Sequence, residues 1–280
     1  MISWARQGQQ IAQRQQRETA VHDLQNAQAR ALYELGQWEA ATEKYTHLLT
    51  RIPTDIYSLP LALALLGLAM IAAERGEAKQ AIVLYEQLQA LLDETISPEM
   101  HANVLSGLAG VYLDLAQWER ALELYQQVYT VRQQQENWSG VGVAHNNIGL
   151  IYAQQGKLKL ALAQFEEALA LYERMENRPM LATTLTNIAN TLLDHGEWDK
   201  ALTYSTKALA IHREIYNELG IINTLMQIGS VHAERTQWES AQTYFQQASE
   251  RAQQIGYAMC DLFLARIWVF FRKKHCLAHI

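Results

Sequence analysis

One short sequence block returns six times along this chain at a constant spacing of forty residues. Its clearest forms are YELGQW, LDLAQW and LDHGEW, and no insertion interrupts the spacing. The six copies end at Trp38, Ala78, Trp118, Leu158, Trp198 and Trp238. Such a period is typical of repeat proteins, in which each copy folds as one supersecondary unit and stacks on its neighbours. The chain is therefore predicted to form an array of equivalent units.

Each copy carries the residues that two closely packed helices need. An alanine column follows the block and consists of Ala41, Ala81, Ala121, Ala161, Ala201 and Ala241. Four residues later comes an aromatic column of Tyr45, Tyr85, Tyr125, Phe165 and Phe245, with Ser205 as its exception. Small residues ahead of the block are Ala69, Ala109, Gly149, Ala189 and Gly229. Because small residues let helices approach and aromatic rings fill the remaining space, each copy is predicted to be a helical hairpin.

The turn within each hairpin is predicted at the glycine of the block, where a left-handed residue ends the first helix. This position holds Gly36, Gly76, Gly156 and Gly196. In copies three and six it holds Ala116 and Thr236, which predicts a tighter or slightly strained turn. Asn137, Asn177 and Asn217 recur near the ends of the second helices and are predicted to be their left-handed caps.

The fourth copy resembles the signature of the tetratricopeptide repeat. The matching residues are Ile148, Gly149, Tyr152, Gly156, Ala161 and Phe165. The period exceeds the usual length of about 34 residues and is similar to the repeats of kinesin light chains, spindle-orientation adaptors and some bacterial regulators. The resemblance implies an all-α, right-handed superhelical solenoid whose first helices line a concave, peptide-binding groove.

The resemblance covers residues 22–261 and divides the chain into three parts. Six repeats are predicted at 22–61, 62–101, 102–141, 142–181, 182–221 and 222–261. Residues 1–21 are predicted to be a helical extension, and residues 262–280 a capping helix and tail. The apolar stretch Met259–Phe271 leaves open a homodimer or a membrane-surface contact through this end.

Residues 56–73 carry no charge, and their length reaches the lower limit for a membrane-spanning helix. The repeat register favours another interpretation, because Leu68, Ala69 and Ala81 occupy their expected columns. We therefore expect a buried repeat helix and no membrane span.

Composition and missing motifs exclude several functional classes. The net charge of −6 disfavours nucleic acid as a partner. Two cysteines and an opening segment without an apolar run favour a cytoplasmic protein. The sequence has no phosphate-binding loop and no hydrolase or metalloprotease motif, so we expect neither catalysis nor a cofactor. His275, Cys276 and His279 have the spacing of metal ligands, but their terminal position favours an incidental tail and no metal site.

A binding surface is expected on the stripe of each first helix that the packing columns leave free. The candidate peptide-binding residues are Leu66, Met70, Asn103, Ser106, Asn146, Asn147, Thr186, Asn187, Asn190, Asn223 and Gln227. An acidic column ends the stripe and consists of Glu34, Glu74, Asp114, Asp194 and Glu234. Amides donate and accept at once, so this stripe could hold the backbone of an extended peptide. Alternatively, the amides bond to one another or to water.

Together these features predict a non-enzymatic scaffold that binds a protein or peptide segment with an apolar anchor and basic groups. Two alternatives remain open: a peptide-sensing receptor that acts through a separate effector, and a scaffold that self-assembles through its C-terminal helix. The stripe contains Arg30 as its only cation. A clamp for acidic C-terminal tails, which other tetratricopeptide domains build from lysine and arginine, is therefore disfavoured.

Overall fold

The computed structural model describes residues 19–53, 58–92 and 97–256, and all regular secondary structure in them is helical. The helices are α1 (19–34), α2 (Trp38–Leu49), α3 (Leu59–Glu74), α4 (Ala78–Leu91), α5 (Pro98–Asp114), α6 (Trp118–Gln134), α7 (Trp138–Gln154), α8 (Leu158–Arg174), α9 (Arg178–Asp194), α10 (Trp198–Glu214), α11 (Glu218–Glu234) and α12 (Trp238–Gln254). The predicted all-α repeat fold is confirmed.

The helices are arranged as hairpins in two compact units, an N-terminal unit, Met1–Glu136, and a C-terminal unit, Asn137–Ile280. In the N-terminal unit α3 packs against α4 and α5 against α6. In the C-terminal unit the pairs are α7 with α8, α9 with α10 and α11 with α12. The first helices of neighbouring hairpins also touch, α3 with α5, α7 with α9 and α9 with α11. Within each unit the first helices therefore lie side by side.

The predicted packing columns form the core of both units. All six members of the alanine column have no exposed surface, and every member of the aromatic column is buried, Ser205 included. A Cβ atom added at Gly149 would lie 2.7 Å from the ring of Phe165, and one at Gly229 would lie 2.7 Å from Phe245. Real Cβ atoms do not approach so closely, so the second helix can sit at this distance only over a small residue. The predicted close contact is confirmed.

The two hairpin turns without glycine keep the same backbone path as the others. Ala116 has a φ of 55° and Thr236 a φ of 58°, in the same left-handed region as Gly36 at 72°. The turn after α5 closes with a bond of 2.8 Å from the Gln117 N–H to the Tyr112 carbonyl. The predicted strain is thus confirmed, since L-residues adopt this region at a cost, but these turns are not tighter.

The three recurring asparagines do not cap the second helices, and that prediction is wrong. Each side chain instead accepts a hydrogen bond from a backbone N–H at the start of the next first helix. The bonds run from Gly140, Met180 and Gly220 to Asn137, Asn177 and Asn217 and measure 2.9, 3.2 and 2.9 Å. The left-handed residues lie one position earlier, at Glu136, Glu176 and Tyr216. The asparagines follow these left-handed residues directly and cap the next helix, because the first turn of a helix leaves backbone N–H groups without partners.

The uncharged helix α3 is a core element of the N-terminal unit. Ser58 caps it by accepting a bond of 3.4 Å from the Leu61 N–H, and Pro60 lies in its first turn. Its buried residues face both neighbours, α2 and α4. None of the helices in the described ranges is both long and apolar enough to cross a membrane.

The repeat boundaries set by the sequence pattern remain a prediction. Helices α3 and α5 begin at Leu59 and Pro98, so the predicted limits 61/62 and 101/102 fall inside them. Most of the predicted N-terminal extension lies outside the described residues, as do the capping helix, its proposed dimer contact and the His275, Cys276 and His279 tail.

We predict that Ala201→Leu lowers the free energy of unfolding by about 1–3 kcal/mol, because it overpacks a fully buried helix contact. Ala121→Leu should have a similar effect in the N-terminal unit. Urea unfolding measures both changes. Ala210→Leu, at an exposed position of the same helix α10, is the matched control and should stay close to wild type. Equal stability of Ala201→Leu and the control would show that the contact has room for a larger side chain.

We also predict that Ala116→Gly and Thr236→Gly each raise the free energy of unfolding by about 0.5–1 kcal/mol. Glycine removes the penalty of about 1–2 kcal/mol that an L-residue incurs in the left-handed region. Part of this gain is offset, because glycine loses more backbone entropy on folding. Gly196→Ala is the reverse experiment, since its added Cβ would meet no atom within 4 Å and only the backbone effect remains. A loss of stability in both glycine variants would contradict the strain.

Candidate functional site

The N-terminal unit contains a concavity of about 1030 Å³ between its first helices, α1, α3 and α5. Seven of the predicted residues line it: Leu66, Met70, Asn103, Ser106, Glu34, Glu74 and Asp114. They come from three successive repeats because the first helices present equivalent positions on one side of the unit. The predicted stripe is therefore a continuous surface within this unit.

This N-terminal concavity combines an apolar floor with an acidic rim. Leu63, Leu66 and Met70 are half-buried and supply the floor. The charged residues that line it are Asp23, Arg30, Glu34, Glu74 and Asp114, four carboxylates against one guanidinium. Its surface thus attracts cations while it offers apolar area to a ligand.

Two tyrosines from the second helices, for which the sequence pattern predicts packing alone, also belong to the lining. Tyr45 and Tyr85 are 4% and 2% exposed, yet both border the concavity. Their rings lie over Gly67 and Gly107, where an added Cβ would come within 2.3 and 2.4 Å of ring atoms. The available signal was a glycine 22 residues after each tyrosine, because only glycine allows the ring to cross the next first helix.

The tyrosines of this concavity carry their protons at neutral pH. Burial, with the carboxylate of Glu74 and the hydroxyl of Tyr33 nearby, raises the pKa of Tyr85 to about 12. Burial also raises the pKa of Tyr45, although the positive charge of Arg30 opposes the rise. Both hydroxyls therefore act as neutral groups that can donate and accept hydrogen bonds.

The C-terminal unit has a separate concavity of about 600 Å³ with different chemistry. Among the predicted residues, Thr186, Asn187, Asn190, Asn223 and Gln227 line it. Amides, hydroxyls, a few apolar side chains and His212 make up its surface, and no Asp, Glu, Lys or Arg is among its lining residues. Burial lowers the pKa of His212, so this ring is neutral at pH 7.

Several of these amides bond to one another. Asn187 Nδ2 donates to Asn146 Oδ1 at 3.1 Å, and Gln227 Nε2 donates to the Thr186 carbonyl at 3.0 Å and to Asn190 Oδ1. This network is the alternative that the sequence left open for the amides. It fixes the orientation of the side chains and leaves fewer of their polar atoms available to a ligand.

The network also accounts for the exception in the aromatic column. The Ser205 hydroxyl donates to Gln227 Oε1 at 2.7 Å, and both residues are buried. Gln227 stands 22 residues after Ser205, the same offset that joins Tyr45 to Gly67. The long side chain of Gln227 on the first helix thus fills the space that an aromatic ring at position 205 would fill in the other repeats.

The remaining predicted residues lie apart from this concavity. Asn146 is buried behind Asn187, and Asn147 is half-buried and outside the lining. Asp194 and Glu234 are exposed at the ends of α9 and α11 and do not line it either. Of the acidic column, the members that line one of the two concavities are therefore those of the N-terminal unit, Glu34, Glu74 and Asp114.

Structures similar to this chain share its fold at low sequence identity. NprR in complex with its cognate peptide NprX has 17% identity and a TM-score of 0.69, and the match covers 90% of this chain and 74% of NprR. BtubC from P. vanneervenii has 18% identity and a TM-score of 0.59, with 84% and 92% covered. The TPR-like repeats of a putative kinesin light chain from Podosopora anserina have 16% identity and a TM-score of 0.55, with 70% and 96% covered.

In sequence, no curated protein is a detectable relative of this chain. Two tetratricopeptide repeat profiles nevertheless match it, one over residues 100–174 and 180–254 and the other over residues 26–96. These matches span more than half of the chain and agree with the helical hairpins of both units. The chain belongs to the tetratricopeptide repeat family.

Proposed function

We propose that this protein is a non-enzymatic interaction scaffold that binds a peptide segment of a partner protein in its N-terminal concavity. The segment carries an apolar anchor and basic groups. The observation that carries the proposal is the apolar floor at Leu66 and Met70 bordered by the carboxylates of Glu74 and Asp114. The presence of NprX in the structure of NprR supports a peptide as the ligand class.

The floor and the rim contribute to binding in different ways. An apolar side chain that covers the floor contributes roughly 25 cal/mol for each Å² removed from water. The carboxylates are exposed, so they mainly speed association and select the sign of the partner's charge. Salt weakens this second contribution, because exposed charges are screened over about 10 Å at 0.1 M. The same acidic rim opposes phosphate groups and argues against nucleic acid as a partner.

The amides of the C-terminal concavity are proposed to hold the backbone of an extended segment. Asn223 is the best placed of them, since it is exposed and has no hydrogen-bond partner among the described residues. Asn187, Asn190 and Gln227 are oriented by their mutual bonds and present their remaining polar atoms. Amide groups recognise backbone without demanding a particular side chain.

Three further proposals come from the sequence. From the low cysteine content we propose a cytoplasmic location. A receptor that acts through a separate effector, and a homodimer formed through residues 262–280, both remain predictions. Neither changes the ligand chemistry proposed for the two concavities.

Selection from a displayed library of random peptides, with this protein as bait, should enrich sequences that combine an aliphatic side chain with Arg or Lys. We predict that Glu74→Lys/Asp114→Lys weakens the best peptide at least about 10-fold, because two attractions become repulsions. Fluorescence anisotropy at 50 and 300 mM salt measures the change. Glu123→Lys is the matched control, since Glu123 is exposed on α6 and outside the concavity. Enrichment of acidic peptides would overturn the proposal.

In the C-terminal unit, we predict that Asn223→Ala weakens peptide binding about 3- to 10-fold and leaves thermal stability unchanged, because the exposed Asn223 side chain makes no hydrogen bond to any described residue. Asn187→Ala should lower the melting temperature as well, since it breaks the bond to Asn146. Thermal unfolding separates the two effects. If affinity for selected peptides is unaffected in both variants, these amides do not bind the peptide.

A further inference from the structure

Two carboxylates of the N-terminal concavity, those of Glu74 and Asp114, form no ion pair with a residue that the structure describes, whereas that of Glu34 does. In the first repeat, Arg30 Nε lies 3.0 Å from Glu34 Oε1, one helical turn away. The residues equivalent to Arg30 in the next two repeats are Met70 and Gly110. Neither can neutralise its acidic neighbour, Glu74 or Asp114, and the described chain supplies no other ion pair for these two carboxylates.

A tyrosine whose hydroxyl forms no bond within the described chain lies close to one of these carboxylates. The Tyr85 side chain is 2% exposed and borders the concavity, and its hydroxyl makes no hydrogen bond to any described residue. Glu74 and Tyr33 are close enough to Tyr85 to affect its pKa. Because the ring is held by packing and the hydroxyl borders the concavity without a bond to the protein, this hydroxyl is available for a hydrogen bond with a bound molecule.

The first repeat contains the complete version of the same arrangement. Arg30 pairs with Glu34 and its positive charge also acts on Tyr45. A guanidinium and a carboxylate thus form an ion pair within one repeat, and both are close enough to a phenol to affect its pKa. The second repeat has the equivalent carboxylate and phenol in Glu74 and Tyr85, whereas Met70 replaces the arginine. Compared with the first repeat, the second repeat therefore lacks a guanidinium group.

We infer that the second repeat forms a site for an arginine side chain of the partner, whose guanidinium binds Glu74 and Tyr85 together. The inference rests on the proposed peptide-binding function and specifies its basic group. A guanidinium has five N–H donors in one plane, so it can bond to a carboxylate and to a phenol oxygen at once. A lysine ammonium is a compact, strongly hydrated charge that fits this pair less well. The apolar stem of the arginine would lie along Met70.

The neutral state of Tyr85 makes the site selective. An ionised phenol would attract any cation, whereas a protonated phenol binds through a directional hydrogen bond. Its high pKa keeps Tyr85 protonated throughout the physiological range. The hydroxyl oxygen accepts from the guanidinium, and its proton remains available for the Glu74 carboxylate or for a carbonyl of the ligand.

The test uses three small probes: the N-acetyl methylamides of arginine, lysine and citrulline. NMR spectra of the full chain labelled with ¹³C in its tyrosine rings report binding, and the signal that Tyr85→Phe removes identifies Tyr85. The arginine probe should shift the Tyr85 signal at about 3- to 10-fold lower concentration than the lysine probe, and the uncharged citrulline probe should not shift it.

Two variants separate the site from general charge attraction. Tyr85→Phe should weaken arginine binding, followed through the Tyr33 signal, about 3- to 10-fold. Tyr172→Phe is the matched control, because Tyr172 is a buried tyrosine of the C-terminal unit outside both concavities. Met70→Arg should abolish binding by pairing with Glu74 as Arg30 pairs with Glu34. Gln87→Arg adds the same charge at an exposed position of α4 and should bind the arginine probe well.

The possible results distinguish this inference from the proposed function. Equal shifts by the arginine and lysine probes, or unchanged arginine binding in Tyr85→Phe, would overturn the arginine site even if basic peptides bind. Unchanged binding in Met70→Arg would overturn it as well. Arginine binding at Tyr85 together with no enrichment of basic peptides would support the site and contradict the peptide-binding function.

Discussion

The structure depends on one recurring contact, that of an aromatic ring on a second helix with a small residue on a first helix. Helix α10 is the exception, because Ser205 takes the place of the ring. Phe165 over Gly149 and Phe245 over Gly229 leave no room for a Cβ atom. This contact sets the distance between the helices of a hairpin, and the fully buried alanine one turn earlier on the same face of the second helix keeps the two helices close there as well. Because the contact recurs with the period of the sequence, the first helices of each unit lie side by side and present equivalent positions.

A related contact between neighbouring hairpins determines the chemistry of each concavity. Where the first helix offers glycine, as at Gly107, the preceding tyrosine crosses it and brings its hydroxyl to the concavity. At Gln227 the first helix offers an amide, the residue 22 positions earlier is Ser205 and no tyrosine, and the serine hydroxyl binds the amide. Packing and ligand recognition thus share the same residues. One column of the repeat gives the N-terminal unit phenols and the C-terminal unit a fixed amide network.

The fold was predictable from the sequence because its determinants are local and periodic: the hairpins, the turns and the small residues at the helix contacts. The cap residues were misplaced, since a pattern of asparagines does not show which of two adjacent helices Asn137 serves. Tyr45 and Tyr85 were overlooked because a ring was taken either to pack or to bind. Hydrogen bonds such as that of Asn187 to Asn146 depend on rotamers and on neighbouring repeats, and spacing carries no information about them.

The position of the acidic column also affects the energy of binding. Glu74 and Asp114 are the last residues of α3 and α5, where a carboxylate opposes the helix dipole at a cost of about 0.3–1 kcal/mol. In α1 the cation of Arg30 offsets this cost for Glu34, but the next two repeats have no such cation. The free protein is therefore less stable at these two helix ends than it would be with a cation bound. A basic ligand removes the unfavourable interaction when it binds, so its affinity includes that relief in addition to the new contacts.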